Sequence, residues 1–143
     1  RSDVYEEVAK TTAYIGAKNK LEDGKSAFEQ VFVTDADLTM IERFYNESVD
    51  TLMNLLKQFV EEINDEDGNI NWKLTLSSRF DIKLQPSIIR SATSYLVNSI
   101  IGKWCEITAP DKVKEYADNA TALLADIKDK VFHKSAPSRV KPQ

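Results

Sequence analysis

The chain has 143 residues, of which 42% are apolar and 29% are charged, and its net charge is −4. This length and composition are ordinary for a single globular domain with a hydrophobic core. No apolar run approaches the roughly 20 residues that cross a bilayer, so we expect no membrane partner. The single cysteine, Cys105, excludes an internal disulfide and is typical of a reducing compartment.

The first predicted helix begins at Ser2, whose residue type caps helices, and ends at Gly16, which fits the position after a helix end. Its apolar stripe consists of Val4, Val8, Thr12 and Ile15. The polar residues 17–25 are predicted to form a loop. Residues 26–33 are compatible with a single helical turn or with a short strand, and the sequence leaves both open.

A second, longer helix is predicted from Thr34 to Ile63, because apolar residues recur there every three or four positions. The stripe consists of Leu38, Ile41, Tyr45, Val49, Leu52, Leu56, Val60 and Ile63. Such a helix would be about 45 Å long, more than the diameter of roughly 37 Å expected for a compact domain of this size. It must therefore kink, stop early or project beyond its own domain. Phe44, Leu55 and Phe59 lie off the stripe, which favours projection against a partner.

A β-hairpin is predicted at residues 70–84. Apolar and polar residues alternate on its first arm, where the apolar ones are Ile70, Trp72, Leu74 and Leu76. The second arm repeats the alternation with Phe80, Ile82 and Leu84. A period of two on both arms is typical of strands with one buried face.

Two further helices are predicted after the hairpin. The third begins at Gln85-Pro86 and is apolar on nearly every side, which is typical of a helix covered by others. Gly102 inside it costs about 1 kcal/mol relative to alanine, so we expect a close approach of another helix there. Thr108 and Asp111 resemble a capping box that opens a fourth, amphipathic helix.

The predicted fold is mainly α, a four-helix arrangement with an inserted β-hairpin between the second and third main helices. Residues 1–132 are expected to form a single helical domain, and residues 133–143 an extended basic tail. The sequence leaves open whether that tail contacts protein, DNA or only solvent.

Residues suited to catalysis or metal binding are scarce. His133 is the only histidine and lies beside the tail, while Cys105 adjoins Trp104 on the predicted central helix and is interpreted as a core residue. One histidine and one cysteine do not make a zinc site, and the acidic residues around Gly68 fail the spacing of a calcium loop. Four scattered glycines offer no phosphate-binding loop. We therefore predict no enzymatic activity, no cofactor and no metal.

Two stretches, 35–59 (DADLTMIERFYNESVDTLMNLLKQF) and 74–104 (LTLSSRFDIKLQPSIIRSATSYLVNSIIGKW), give the chain its order of long helix, hairpin, proline and buried helix. In pattern and order this resembles the small helical head–tail connector (adaptor) proteins of tailed phages. The chain departs from that family's pattern in its first helix, its long 17–33 loop and its extended ending.

The resemblance implies a non-enzymatic structural protein of a phage or prophage particle, forming an oligomeric ring or joint at the head–tail connector. It implies that portal or tail proteins are the partners, and that subunits exchange hairpins and loops and insert a terminal tail into the next ring. The protein would then be located in the virion, after assembly in the bacterial cytoplasm. No individual functional residue follows from the resemblance.

The predicted assembly surface combines the hairpin with the basic tail and consists of Trp72, Arg79, Phe80, Lys83, Arg139 and Lys141. Aromatic and basic residues of the hairpin fall on opposite faces, so we expect no sequence-specific nucleic-acid partner. The main alternative is a cytoplasmic helical protein–protein interaction module with no virion role. A third hypothesis, a small-molecule-binding or enzymatic helical domain, needs a deep pocket with inward carboxylates.

Overall fold

Four helices and a small sheet make up the part of the chain that the structure, a computed structural model, describes: residues 2–18, 37–63, 70, 72–76 and 82–132. In chain order the elements are α1 (Ser2–Lys18), α2 (Leu38–Leu56), β1 (Val60–Ile63), β2 (Trp72–Leu74), α3 (Gln85–Thr108) and α4 (Val113–Phe132). Short 3₁₀ helices at Ile82–Leu84 and Pro110–Lys112 lead into α3 and α4. The predicted fold class is confirmed: the protein is mainly helical, with a two-stranded hairpin between its second and third helices.

The core is built around α3, which packs against α1, α2 and α4. Its middle is completely covered, since Ile100, Ile101 and Cys105 are at most 1% exposed. Pro86 lies in its first turn, where the missing backbone N–H costs no helical hydrogen bond. The apolar stripes of the surrounding helices face it, and their buried members include Val4, Val8, Ile41, Tyr45, Leu52, Leu56, Ile127 and Val131.

Helix α2 stops early, at Leu56, and the prediction that it continues to Ile63 is wrong. A turn at residues 57–59 leads instead into β1, which pairs with β2. Val60 and Ile63 keep the helical spacing, but pairing with a distant strand outweighs that local preference. Projection against a partner is also wrong for Phe44, Leu55 and Phe59, because Phe44 is buried and the other two pack against the same core.

The hairpin is formed by other residues than those predicted. β2 lies within the predicted first arm, and Trp72 and Leu74 are half-buried while Lys73 is exposed, as the alternation predicts. Its partner is β1, in an antiparallel register with a bulge between Val60 and Glu62. The predicted second arm is wrong at Ile82–Leu84, which forms a 3₁₀ helix that runs directly into α3.

Two local predictions are corrected at helix ends, and the helix expected against Gly102 is α4. Helix α1 continues through Gly16 to Lys18, because a helical glycine is costly without being forbidden. The Thr108 hydroxyl donates to the Trp104 carbonyl at 3.1 Å and therefore does not cap α4. A Cβ placed on Gly102 would lie 3.6 Å from its nearest neighbours on α4, so the helices meet there at ordinary contact distance.

The predicted loop at 17–25, the ambiguous segment 26–33 and the tail at 133–143 lie outside the described residues, except for the last two residues of α1.

Candidate functional site

An apolar groove of about 910 Å³ opens between the hairpin, the end of α2 and the N-terminal half of α3. Helix α2 contributes Leu52 and Leu56, and the hairpin strand contributes Trp72 and Leu74. Helix α3 supplies the opposite wall through Ile88, Ile89, Ala92 and Leu96. Among the residues that the structure describes, the charged members of the lining are Glu62 and Lys73. The groove therefore suits a mainly apolar occupant.

The alternation along β2 explains why this surface is apolar. Trp72 and Leu74 are half-buried and pack against the core, whereas Lys73 and Thr75 are exposed. On the outer face Glu61, at the bulge, accepts a hydrogen bond of 2.8 Å from the Thr75 hydroxyl and lies 3.7 Å from the Lys73 ammonium. These contacts hold the polar side of the hairpin outward and leave its apolar side to the groove.

Large apolar side chains remain exposed on the rim of the groove. Ile82, at the start of the 3₁₀ helix, is 69% exposed, and Ile89 on α3 is 59% exposed. Single exposed apolar residues are common, but here two of them border a concave apolar surface. Such a combination is typical of a surface that another molecule covers.

Two further exposed apolar side chains lie at the other end of the helix pair. We call Leu38, at the start of α2, and Ile107, near the end of α3, the end patch; they are 43% and 58% exposed. They lie at the same end because α2 and α3 run antiparallel. The Ser48 and Ser99 hydroxyls are 2.7 Å apart. Lys103 Nζ, further along α3, donates to Glu47 Oε2, earlier on α2, at 3.1 Å.

Two of the six residues predicted to form an assembly surface can be placed. Trp72 lines the groove and is half-buried, and Lys83 is exposed on the 3₁₀ helix next to Ile82. The other four, Arg79, Phe80, Arg139 and Lys141, lie outside the described residues.

Sequence reasoning missed the exposed isoleucines Ile82, Ile89 and Ile107, because it assigned each of them to a buried face. One signal was available: Ile88 and Ile89 are adjacent, so on a helix they point about 100° apart and a single neighbour cannot cover both. In the structure Ile88 is half-buried and Ile89 is exposed.

The arrangement closest to a catalytic one joins α3 to α4. The Ser91 hydroxyl donates to Asp126 Oδ2 at 2.7 Å, and Lys130 Nζ donates to Ser91 Oγ at 3.0 Å and to Asp126 Oδ2 at 2.5 Å. Hydrogen bonds from Lys130 and then from Ser91 hold the pKa of Asp126 below its ordinary value. A carboxylate with a lowered pKa is a weaker base, so this cluster suits a structural clamp better than proton abstraction.

Cys105 is buried, and burial, followed by the charges of Asp111 and Glu115, raises the pKa of its thiol to about 11. A thiol that stays protonated at neutral pH is a poor nucleophile. Among the residues that the structure describes, no His, Cys, Asp and Glu side chains gather in a group that could hold a metal ion. None of the described helices is long and apolar enough to span a bilayer.

Comparison of the chain with protein families, curated proteins and solved structures finds no match. Support for a function therefore comes from the groove, the end patch and the resemblance in element order.

Proposed function

We propose that the protein is a non-enzymatic structural component of a phage or prophage particle that forms an oligomeric ring or joint at the head–tail connector. The observation that carries this proposal is the apolar groove with Ile82 and Ile89 exposed on its rim. The order of long helix, hairpin and proline-initiated central helix supports the connector role.

A second molecule in the groove would remove from water apolar surface that the described residues leave exposed. Complete burial of a fully exposed isoleucine is worth roughly 1.5–3 kcal/mol. Because Ile82 and Ile89 are 69% and 59% exposed, together they offer about 2–4 kcal/mol to an interface. Part of that gain is lost to the ordering of side chains and to the reduced freedom of the subunits. The groove therefore serves as the apolar centre of a larger contact with a polar rim.

Charged residues near the groove favour a partner with a defined orientation. Lys83 is exposed beside Ile82, and Lys73 and Glu62 both reach the lining. Charges on an interface rim steer association and discriminate between partners more than they add affinity. Assembly should therefore weaken in high salt without being abolished.

The experiment is native mass spectrometry and light scattering at micromolar concentration, first on the protein alone and then with the portal or tail protein encoded beside it. We expect a homo-oligomer, either alone or in the presence of that partner. A chain that stays monomeric under both conditions would contradict the connector role.

The alternative is a cytoplasmic helical interaction module with no virion role, whose groove binds a different protein. The genes that flank this one separate the two functions, because portal, capsid or tail genes favour the connector. The alternative would be established if purified particles lack the protein and a cellular protein is found bound in its groove.

A further inference from the structure

The two ends of the helix pair α2–α3 present apolar surface in the same direction. Leu38 and Leu56 are 18 positions apart on α2, and Ile89 and Ile107 are 18 positions apart on α3. Eighteen residues make about five helical turns and span about 27 Å, so the side chains of each pair project from the same side of their helix. One face of the helix pair therefore holds the groove at one end and the end patch at the other.

The middle of this face is covered by the protein itself. Ile100 points within about 20° of Ile89 and Ile107 on the helix and is completely buried. Tyr45 points within about 20° of Leu38 and Leu56 and packs edge-on against Tyr5 of α1, with ring centroids 5.7 Å apart. Helix α1, which also packs against α3, therefore covers α2 at Tyr45, near the centre of the face. Exposed apolar residues lie beyond it at both ends.

We propose that the protein assembles head to tail, with the end patch of one copy, Leu38 and Ile107, docked in the groove of the next. This pairing rests on the proposed function, since it supplies a contact through which copies of a structural component join. The occupant is a second copy because the same chain offers both apolar surfaces on one face.

Charges beside the two surfaces are complementary. Arg90 follows Ile89 at the groove, and Glu106 precedes Ile107 at the end patch. Both are exposed, so docking of Ile107 near Ile89 brings side chains of opposite sign to the same rim.

Helix α1 argues for a head-to-tail arrangement over a closed, face-to-face pair. A helix with its side chains is about 10 Å thick, and two copies placed face to face would bring their α1 helices into collision at the centre. An overlap of ends only avoids α1. Because both surfaces point in the same direction, each contact turns the next copy by about 180°. One groove and one end patch stay free on every pair, so copies add with alternating orientation and the assembly grows as a filament.

The test uses two variants, Ile89→Asp and Ile107→Asp, each of which places a carboxylate on one of the two surfaces. Both isoleucines are more than half exposed, so the variants should keep the fold, which circular dichroism and thermal unfolding check. Ala122→Asp, at an exposed position on α4, adds the same charge away from both surfaces and serves as the control.

We expect the wild type and Ala122→Asp to form the same oligomer, larger than a dimer, and each isoleucine variant to be monomeric by native mass spectrometry. Mixing the two variants should give a one-to-one heterodimer and nothing larger. That heterodimer has one intact contact, between the groove of Ile107→Asp and the end patch of Ile89→Asp, and its remaining surfaces both hold a carboxylate.

A wild-type oligomer that persists in either isoleucine variant would overturn the head-to-tail contact and leave the connector role standing. So would a wild type that stops at a dimer, or a mixture of monomeric variants that forms no heterodimer. A wild type that is monomeric alone and with its portal or tail partner would overturn both proposals.

Discussion

Hydrogen bonding explains why the core tolerates its buried hydroxyls. The Ser48 hydroxyl donates to the Phe44 carbonyl at 2.8 Å and lies 2.7 Å from Ser99 Oγ. The Thr12 hydroxyl donates to the Val8 carbonyl at 2.9 Å. A buried hydroxyl without a partner costs roughly 1–3 kcal/mol, whereas one bonded to a carbonyl of its own helix avoids most of that cost. Polar positions on these helices are therefore compatible with an apolar core.

Replacing Gly102 by alanine should stabilise the protein. A Cβ at this position would lie 3.6 Å from Tyr116 Cβ and from the Ala117 nitrogen, which is ordinary van der Waals contact. Alanine also favours the helix by up to about 1 kcal/mol relative to glycine. Chemical denaturation should show a higher free energy of unfolding for Gly102→Ala. Gly102→Val is the matched control and should lose this gain in stability, because its two methyl groups need space that α4 occupies. A lower free energy of unfolding for Gly102→Ala would contradict the prediction.

Stability should fall between about pH 9 and 11 because of Cys105. Burial raises the pKa of this thiol from 9.0 to about 11 in the folded protein. The contribution of the protonated thiol to stability is complete below the pKa of the unfolded thiol. It is lost as the pH rises through the folded pKa, because the unfolded chain releases its proton first. Denaturation across this range should show a smaller decline for Cys105→Ala. An equal decline in both proteins would show that other groups are responsible.

At the scale of elements, local pattern predicted helices well and the hairpin only in part. The proline at the start of α3 and the stripes of α2 and α4 depend on neighbours within a turn or two, which a sequence displays directly. The end of α2 depends on pairing between Val60–Ile63 and Trp72–Leu74, residues that are distant in sequence. No local signal reports such a pairing, and the helical spacing of Val60 and Ile63 pointed the other way.

The hairpin should contribute less to stability than the centre of α3. Ile100 is completely buried, so Ile100→Ala should lower the free energy of unfolding by about 2–5 kcal/mol through the cavity it leaves. Trp72 is half-buried at the groove, so Trp72→Ala should cost less, about 2 kcal/mol. Ile89→Ala, at an exposed position, should change stability by no more than about 0.5 kcal/mol. A larger loss of unfolding free energy for Trp72→Ala than for Ile100→Ala would contradict this order and show that the hairpin contributes more than the centre of α3.

The clamp between α3 and α4 should be sensitive to acid. Hydrogen bonds from Lys130 and Ser91 lower the pKa of Asp126 in the folded protein. The stability that Asp126 contributes is therefore present above its ordinary pKa of 3.8 and is lost as the pH falls through its folded pKa. Thermal unfolding at pH 7 and pH 3 should show a smaller acid-induced loss for Asp126→Asn. Because Asp126 is partly exposed, the variant should cost no more than about 1 kcal/mol at pH 7.

For the whole molecule, the sequence indicated that one face of the hairpin is apolar. It did not indicate which apolar side chains stay exposed. The alternation around Trp72 correctly predicted that Trp72 and Leu74 lie on the more buried face of the hairpin and Lys73 on the exposed one. Ile89 and Ile107 are exposed on α3, whereas Ile100 between them is buried although it has the same residue type and direction. Residues of the same type and direction on one helix thus differ in burial according to their tertiary surroundings, which composition and periodicity do not encode.

Removal of residues 133–143 should leave the fold intact and weaken assembly. The truncated chain still contains Phe132 and Phe59. Their rings therefore keep the edge-to-face contact, with centroids 5.1 Å apart. Stability should therefore stay within about 0.5 kcal/mol of the full chain. The tail contains Lys134, Arg139 and Lys141, and loss of these charges should raise the concentration needed for oligomers to form. Light scattering across a dilution series measures that shift.

Phe132→Ala in the full chain separates the end of the domain from the tail. It removes the aromatic contact with Phe59 and should lower stability by about 1 kcal/mol while keeping every tail charge. If the tail acts in assembly only, the truncated chain loses oligomers without losing stability. Phe132→Ala then loses stability without losing oligomers. A truncated chain that is less stable than Phe132→Ala would show that the tail packs against its own domain, and its effect on assembly would then follow from the damaged fold.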